Sequence, residues 1–302
     1  MLLVLRRNPG RGAGVARLDS GRVEGLFVSL LKIAAAVAVG LPLVVYLAQD
    51  SLIFYRQPLP DARRAEIARR FPAATEVTIP SADGAKLHGW LVKPQGIERA
   101  PLVLYYGGNA EEVSHMLEAI GDPVRGDTPA VAWLIFNYRG YGASEGSPSQ
   151  ASLVADALTQ YDYASKLPGI DAERIFVFGR SLGSGVAVQL AAHRPVRGLI
   201  LVSPYDSLAA VAKRYYWYLP VDWMLKHRFD SIALAPQMKQ PLLCFIAERD
   251  DVIPPEHAER LFAAWAGPKR RVLLGGAGHN TTDGAAGFWP AVRDFLASVP
   301  YD

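Results

Sequence analysis

The chain has 302 residues, half of them hydrophobic and a fifth charged, with a formal net charge of +3 at pH 7. That balance excludes a disordered or low-complexity protein, which needs low hydrophobicity and high net charge, and so small a charge implies no nucleic-acid partner. A lone cysteine, Cys244, excludes an internal disulfide, and no Cys/His pair has zinc-like spacing.

Mean hydropathy is slightly positive, and most of the excess lies near the N-terminus. Residues 26–47 read LFVSLLKIAAAVAVGLPLVVYL, with one charge, Lys32. As a helix at ~1.5 Å per residue this run spans roughly 33 Å, enough for a hydrocarbon core of ~30 Å. Lys32 lies close enough to one interface to snorkel, and Pro42 is tolerated in a membrane span. Ala36-Val37-Ala38 has the residues of a signal-peptide cleavage site, but the apolar run continues beyond it, which argues against cleavage. The reading is a basic tail at 1–25 and a single-pass anchor at 26–48, through which the chain partners a lipid bilayer. Arg6, Arg7, Arg11, Arg17 and Arg22 precede the span, and Arg56, Arg63, Arg64, Arg69 and Arg70 follow it, a near tie by the positive-inside rule. Lys32 and the basic tail decide for an extracytoplasmic placement of the domain that follows.

Residues 49–74 read as a juxtamembrane linker with a short helix over 61–70, and 75–302 as one folded domain. Segments 75–79 and 86–92 alternate in polarity, and Asp83-Gly84 between them marks a hairpin. Continuous apolar runs follow at 102–106, 131–136, 175–178, 199–202, 242–246 and 272–274, as expected for strands buried on both faces. Helical patterns lie between them near 111–120, 152–167, 182–193, 255–265 and 287–297. This alternation predicts an α/β fold: a doubly wound, mostly parallel sheet with an antiparallel hairpin at one edge.

The chemistry centres on Gly179-Arg180-Ser181-Leu182-Gly183, directly after a strand and before a helix. This is the G-x-S-x-G nucleophile elbow, whose sharp turn lifts a serine above the sheet edge and needs small residues on either side. A serine hydroxyl is a poor nucleophile near pH 7 and needs a base, and the base an orienting acid. In a strand-turn-helix hydrolase the chain order is serine, acid, histidine. The strand at 242–246 runs into Ala247-Glu248-Arg249-Asp250-Asp251, and the last strand into Gly275-Gly276-Ala277-Gly278-His279-Asn280. Ser181 and His279 follow from order and placement. The acid is Asp250 or Asp251, with Glu248 and Asp206 as remaining candidates. His257 reads as a surface or helix-packing residue, and His115 as a residue that borders the pocket at most. An oxyanion hole needs two N–H donors. Leu182, the residue after the nucleophile, supplies one, and the loop Gly107-Gly108-Asn109-Ala110 supplies the other, with Asn109 as the donor.

The segments YYGGNAEE (105–112), NYRGYGASEGSPS (137–149), GRSLGSG (179–185), SPYDSL (203–208), ERDDVIPPEHA (248–258) and GAGHN (276–280) carry a resemblance. Together they resemble the membrane-anchored α/β-hydrolases related to fungal Bem-type proteins and animal protein depalmitoylases, over about 52–297. The resemblance implies an α/β-hydrolase fold and aligns Ser181 with the nucleophile, Asp250 with the acid and His279 with the base. It also shows a departure: the family's oxyanion loop usually begins His-Gly-Asn-Ala, whereas this one begins Gly107-Gly108. The expected activity is hydrolysis of a small acyl ester or thioester through an acyl-enzyme, with no metal or organic cofactor implied. A serine peptidase and a catalytically silent, membrane-tethered binding protein are the alternatives. The connection KRYYWYLPVDWMLKHRF (213–229) reads as a short flap on the sheet edge. Its interleaved aromatic and basic residues equally suit a lipid interface rich in anionic headgroups.

Overall fold

A computed structural model describes residues 20–120 and 131–298, so most of the basic tail lies outside the described residues. The chain divides into two compact units between Leu47 and Ala48.

The first unit holds most of helix α1 (Ser20–Ile53), which contains Pro42. It is the one described helix long and apolar enough to cross a membrane, with a mean hydropathy of 2.3 in its most apolar stretch. Its apolar side chains, Leu26, Leu31, Val39 and Leu47 among them, are exposed.

The second unit opens with the last turn of α1 and continues through α2 (Asp61–Arg70). Within residues 49–74, Phe54, Leu59 and Ile67 are buried, and Pro58 bridges to Gly142. The hairpin β1 (Ala74–Pro80) and β2 (Lys86–Val92) follows, its turn using Gly84 at φ +89°. Then come β3 (Ala100–Tyr106), the short α3 (Met116–Ile120), β4 (Ala132–Phe136), α4 (Gln150–Ala164), β5 (Ile170–Arg180), α5 (Leu182–His193) and β6 (Gly198–Val202). The chain continues as α6 (Leu208–Tyr215), α7 (Val221–Met224), α8 (Ser231–Leu234), β7 (Leu242–Ala247), α9 (Pro255–Ala264), β8 (Lys269–Leu274) and α10 (Phe288–Ser298).

The eight strands form one sheet in the order β1-β2-β4-β3-β5-β6-β7-β8. The β1–β2 and β2–β4 pairs are antiparallel and every other pair is parallel. Alternate residues of each central strand enter opposite cores. Leu102, Leu104 and Tyr106 pack with Val186 of α5 and Leu261 of α9, while Val103 and Tyr105 pack with Met116 of α3 and Val292 of α10. Both faces are therefore covered, which is why the central strands read as unbroken apolar runs. Because β3, β5, β7 and β8 run parallel, the loops that leave them emerge on a single edge, where open α/β sheets bind ligands.

Candidate active site

Ser181 joins β5 to α5 at φ +50° and ψ −117°. A non-glycine residue with positive φ is strained and persists only where its surroundings over-determine it. Here its N–H donates to Val202 O at 2.9 Å, and its carbonyl accepts from the Ser184 N–H at 2.9 Å and the Ser184 hydroxyl at 2.7 Å. The flanking glycines are sterically obligatory. A Cβ on Gly183 would lie 2.1 Å from Tyr106 O, and one on Gly179 would lie 2.5 Å from Gly183 O.

The loops after β7 and β8 bring the expected partners to this turn. His279 Nε2 lies 2.9 Å from Ser181 Oγ, and His279 Nδ1 lies 2.8 and 2.9 Å from the two Asp250 carboxylate oxygens. An ionised carboxylate only accepts, so the proton belongs on Nδ1, and Nε2 is left to accept from the serine hydroxyl. All three side chains are buried. Burial pushes the Asp250 carboxyl up, but the hydrogen bond and charge of His279 and the Ile253 N–H outweigh it and hold the group below its ordinary value. Such a path can take a proton from Ser181 and stabilise the imidazolium that results.

The other acidic candidates are engaged elsewhere. Asp251 is exposed, and Glu248 accepts from the Gly276 N–H at 2.7 Å. Asp206 is buried against His257 Nδ1 at 2.7 Å and Arg260 Nε at 2.7 Å. His257 is thus a helix-packing residue on α9, as expected. His115 lies away from Ser181, in a neighbouring cavity of about 220 Å³ lined by Tyr105, Arg180 and Asn280.

The Ser181 pocket has a volume of about 220 Å³ and is lined by Asn109, Leu182, Tyr205, Val211, Tyr216 and Ile253, with Leu52 and Ile53 from the end of α1. Leu182 and Asn109 thus line the same pocket as Ser181. On the loop after β3, the Gly108 N–H donates to Glu111 Oε2 at 2.6 Å and the Ala110 N–H to Asn109 Oδ1 at 3.0 Å. Both of those donors are therefore occupied within the loop itself. The Asn109 side chain anchors it: Oδ1 accepts from the Tyr55 N–H and the Tyr141 hydroxyl, and Nδ2 donates to Ile53 O at 2.7 Å.

The block at 137–149 explains how the loop stays ordered with Gly107 in place of histidine. Tyr138 donates its hydroxyl to Gly107 O at 2.8 Å, Tyr141 donates to Asn109, and Asn137 Oδ1 accepts from the Val113 N–H at 3.1 Å. Tyr138 is fully buried, and burial, reinforced by Glu111, keeps its hydroxyl protonated far above the ordinary tyrosine range.

One network was not foreseen. Glu111 accepts from the Tyr105 hydroxyl at 2.5 Å and from Arg180 Nη1 at 3.0 Å. Arg180 Nη2 in turn donates to His279 O at 3.2 Å and to Asn280 Oδ1 at 3.0 Å. Burial lowers the Arg180 pKa, but the Glu111 carboxylate more than restores it, so the guanidinium stays charged. The pair ties the oxyanion loop, the elbow and the histidine loop together. Its only trace in the sequence is a charged residue at the variable position of G-x-S-x-G.

Comparison with known proteins bears on the family and the fold. Residues 127–234 match the family described as "Serine aminopeptidase, S33". The chain is 36% identical to "Uncharacterized protein Rv2307c" of Mycobacterium tuberculosis over 274 residues, covering 89% of this chain and 95% of the relative. It is 26% identical to "Protein bem46" of Schizosaccharomyces pombe over 295 residues, covering 92% of this chain and 97% of the relative. Acetyl xylan esterase from Paenibacillus sp. R4 shares the fold with a TM-score of 0.57 at 20% identity, over 79% of this chain and 93% of the esterase. With the elbow, the strand order and the Bem46-type relatives in agreement, the chain belongs to the α/β-hydrolase family.

Proposed function

We propose that this α/β-hydrolase is a serine hydrolase, held to a membrane by its apolar helix, that cleaves a carboxylic ester or thioester through an acyl-enzyme on Ser181. The observation that carries the reading is the unbroken hydrogen-bond path from Ser181 Oγ through His279 to Asp250. As Ser181 Oγ attacks the carbonyl carbon, His279 Nε2 takes its proton, and the oxyanion accepts from the Leu182 and Asn109 backbone N–H groups. His279 then protonates the departing alcohol or thiol as the C–O or C–S bond breaks. A water, deprotonated by the same nitrogen, attacks the acyl-enzyme, releases the acid and regenerates Ser181. Asp250 holds the imidazole in the required tautomer throughout.

The pocket lining supports an ester or thioester over a peptide amino terminus. None of the described residues that line it is charged. An ammonium group brought into such a site would lose its hydration with no carboxylate to replace it. The test is intact-mass analysis of the purified chain after treatment with a fluorophosphonate, beside Ser181→Ala. One adduct on the wild type and none on the variant supports the reading, and no adduct on a folded wild type overturns it. A short acyl ester and an aminoacyl amide assayed side by side separate the hydrolase from the peptidase: turnover of the amide alone would reject the ester assignment.

A further inference from the structure

The large apolar side chains exposed by the second unit are not scattered. Leu52, Tyr215, Tyr216 and Val252 rim the mouth of the Ser181 pocket. Beside them the segment after α6 presents Trp217, Tyr218 and Trp223, and the two tryptophans are 81% and 91% exposed. These residues are continuous. The Tyr215 hydroxyl donates to Asp251 O at 2.8 Å, the Tyr218 ring stands 5.8 Å from Trp217 and 6.5 Å from Tyr216, and Trp217 and Trp223 line one shallow depression. Elsewhere in the unit, exposed large hydrophobics among the described residues are few: Tyr55 beside Asn109, then Ile97 and Leu273. A contiguous exposed patch of this kind marks an interaction surface.

Connectivity and composition name its partner. Ala48 opens the unit one residue after the apolar run ends, and the residues just past it are bonded to the flap. Gln49 Nε2 donates to Met224 O at 3.2 Å, the Lys226 N–H donates to Gln49 Oε1 at 2.8 Å, and His227 Nε2 donates to Asp50 Oδ1 at 2.7 Å. The aromatic segment is therefore fixed to the point where the chain enters the unit from its apolar helix. Tryptophan and tyrosine, apolar in body and polar at one tip, are the side chains that favour the headgroup zone of a bilayer. We infer that the aromatic rim formed by Tyr216, Trp217, Tyr218 and Trp223 is a lipid-docking surface that seats the mouth of the Ser181 pocket on the bilayer. The inference rests on the membrane reading of the apolar helix.

The structure also revises how such a surface binds. The sequence suggested attraction to anionic lipid through Lys213, Arg214, Lys226 and Arg228. Lys213 Nζ is 2.6 Å from Asp222 Oδ2, and Arg228 donates to Asp222 O at 2.9 Å and approaches its carboxylate at 3.7 Å. Asp222 thus engages two of the four cations, which weakens the case for an electrostatic contact. Docking depends on the aromatic rings and persists on zwitterionic lipid.

The experiment is fluorescence of the full chain reconstituted into phosphatidylcholine vesicles, beside matched vesicles of brominated phosphatidylcholine. Of the six tryptophans, Trp90, Trp133, Trp265 and Trp289 are buried, so quenching by lipid reports Trp217 and Trp223. Brominated lipid is expected to quench up to two tryptophans' worth of emission, and Trp217→Ser/Trp223→Ser, both exposed positions, is expected to abolish that quenching. Flotation with the vesicles is measured in parallel. A chain that floats with its tryptophans unquenched overturns the docking surface alone. One that fails to float overturns the docking surface together with the membrane anchor. Neither readout involves hydrolysis, so failure of Ser181 to take a fluorophosphonate bears only on the active-site reading.

Discussion

Replacing Arg180 by methionine tests whether the Glu111–Arg180 pair holds the site together. The substitution keeps a side chain of similar reach but removes three hydrogen bonds, to Glu111, His279 O and Asn280. Removing one partner of a buried ion pair destabilises a protein by about 3–5 kcal/mol. The Arg180 side chain is 21% exposed, and Glu111 keeps its bonds from the Tyr105 hydroxyl and the Gly108 N–H. Water and those donors compensate part of the stranded charge, so the lower end of that range, about 3 kcal/mol, is expected. For a unit of this size that is a fall in Tm of roughly 6–12 °C. Glu111→Gln removes the opposite charge, and the double variant should recover about 1–3 kcal/mol relative to the sum of the single changes.

The two variants should separate in reactivity. Arg180→Met frees the backbone of His279, and a displacement of the base by about 1 Å lowers the rate on the order of 100-fold. Glu111→Gln leaves Arg180 on the histidine loop, so its loss of reactivity should be smaller by about a factor of ten. The assay is the second-order rate of fluorophosphonate labelling at a temperature where every variant is folded, with thermal melts alongside. A wild-type labelling rate for Arg180→Met, or stability changes additive within about 0.5 kcal/mol, would refute the clamp.

Four further outcomes follow from the same structure. Asp250→Asn should lower the labelling rate by ~10³–10⁴-fold, because the amide favours the wrong imidazole tautomer. The Asp250 carboxyl titrates below its unfolded value, so its stabilisation is present above an unfolded pKa of ~3.9 and is lost as pH falls through the folded one; urea midpoints at pH 7 and pH 3 should show the wild type losing ground to Asp250→Asn, and a gap that widens in acid would contradict the shift. Gly183→Ala places a methyl group against the carbonyl of Tyr106 and should destabilise by at least ~3 kcal/mol; an unchanged melting curve would mean that the elbow tolerates a side chain. His257→Gln should lower stability, because it disrupts a buried bond to Asp206, yet leave fluorophosphonate labelling within about threefold of wild type; a collapse of labelling would move His257 into the reaction.

What the sequence conveyed about this fold depended on how much of each element's stability is local. Strands β3, β4, β6 and β7 were legible to within two residues because they are buried on both faces and so are apolar without a break. Strand β8 was read only from its last residues. Lys269, Arg270 and Arg271 pair with β7 but stand exposed at the sheet edge, where a strand needs no apolar side chains. The helix expected over 111–120 begins later, as a 3-10 turn at Val113–His115 that runs into the short α3, since the side chains of Glu111 and Glu112 are drawn into contacts with Arg180 and Asn137. The short α7 and α8 carry no periodic signal, because a single turn is stabilised by its neighbours rather than by its own sequence.

The same division runs through the candidate site. Ser181, Asp250 and His279 were legible because parallel strands deliver their loops to a single edge, which turns chain order into proximity. The residues that brace them were not. Arg180 meets Glu111 across 69 positions, and His227 meets Asp50 across 177, with no spacing rule to link them. Glu111 stands four residues beyond Gly107, where the family's histidine would lie, and its carboxylate holds the adjacent Gly108 N–H. In this chain the loop is therefore ordered from outside, by Glu111, Tyr138 and Tyr141, rather than by its own first residue. Asn109 lines the same pocket as Ser181, and its side chain is fixed to the end of α1 at Ile53. Two hydrogen bonds, from the Tyr55 N–H and to Ile53 O, therefore tie this loop to the segment at 53–55, and Asn109→Ala would remove both.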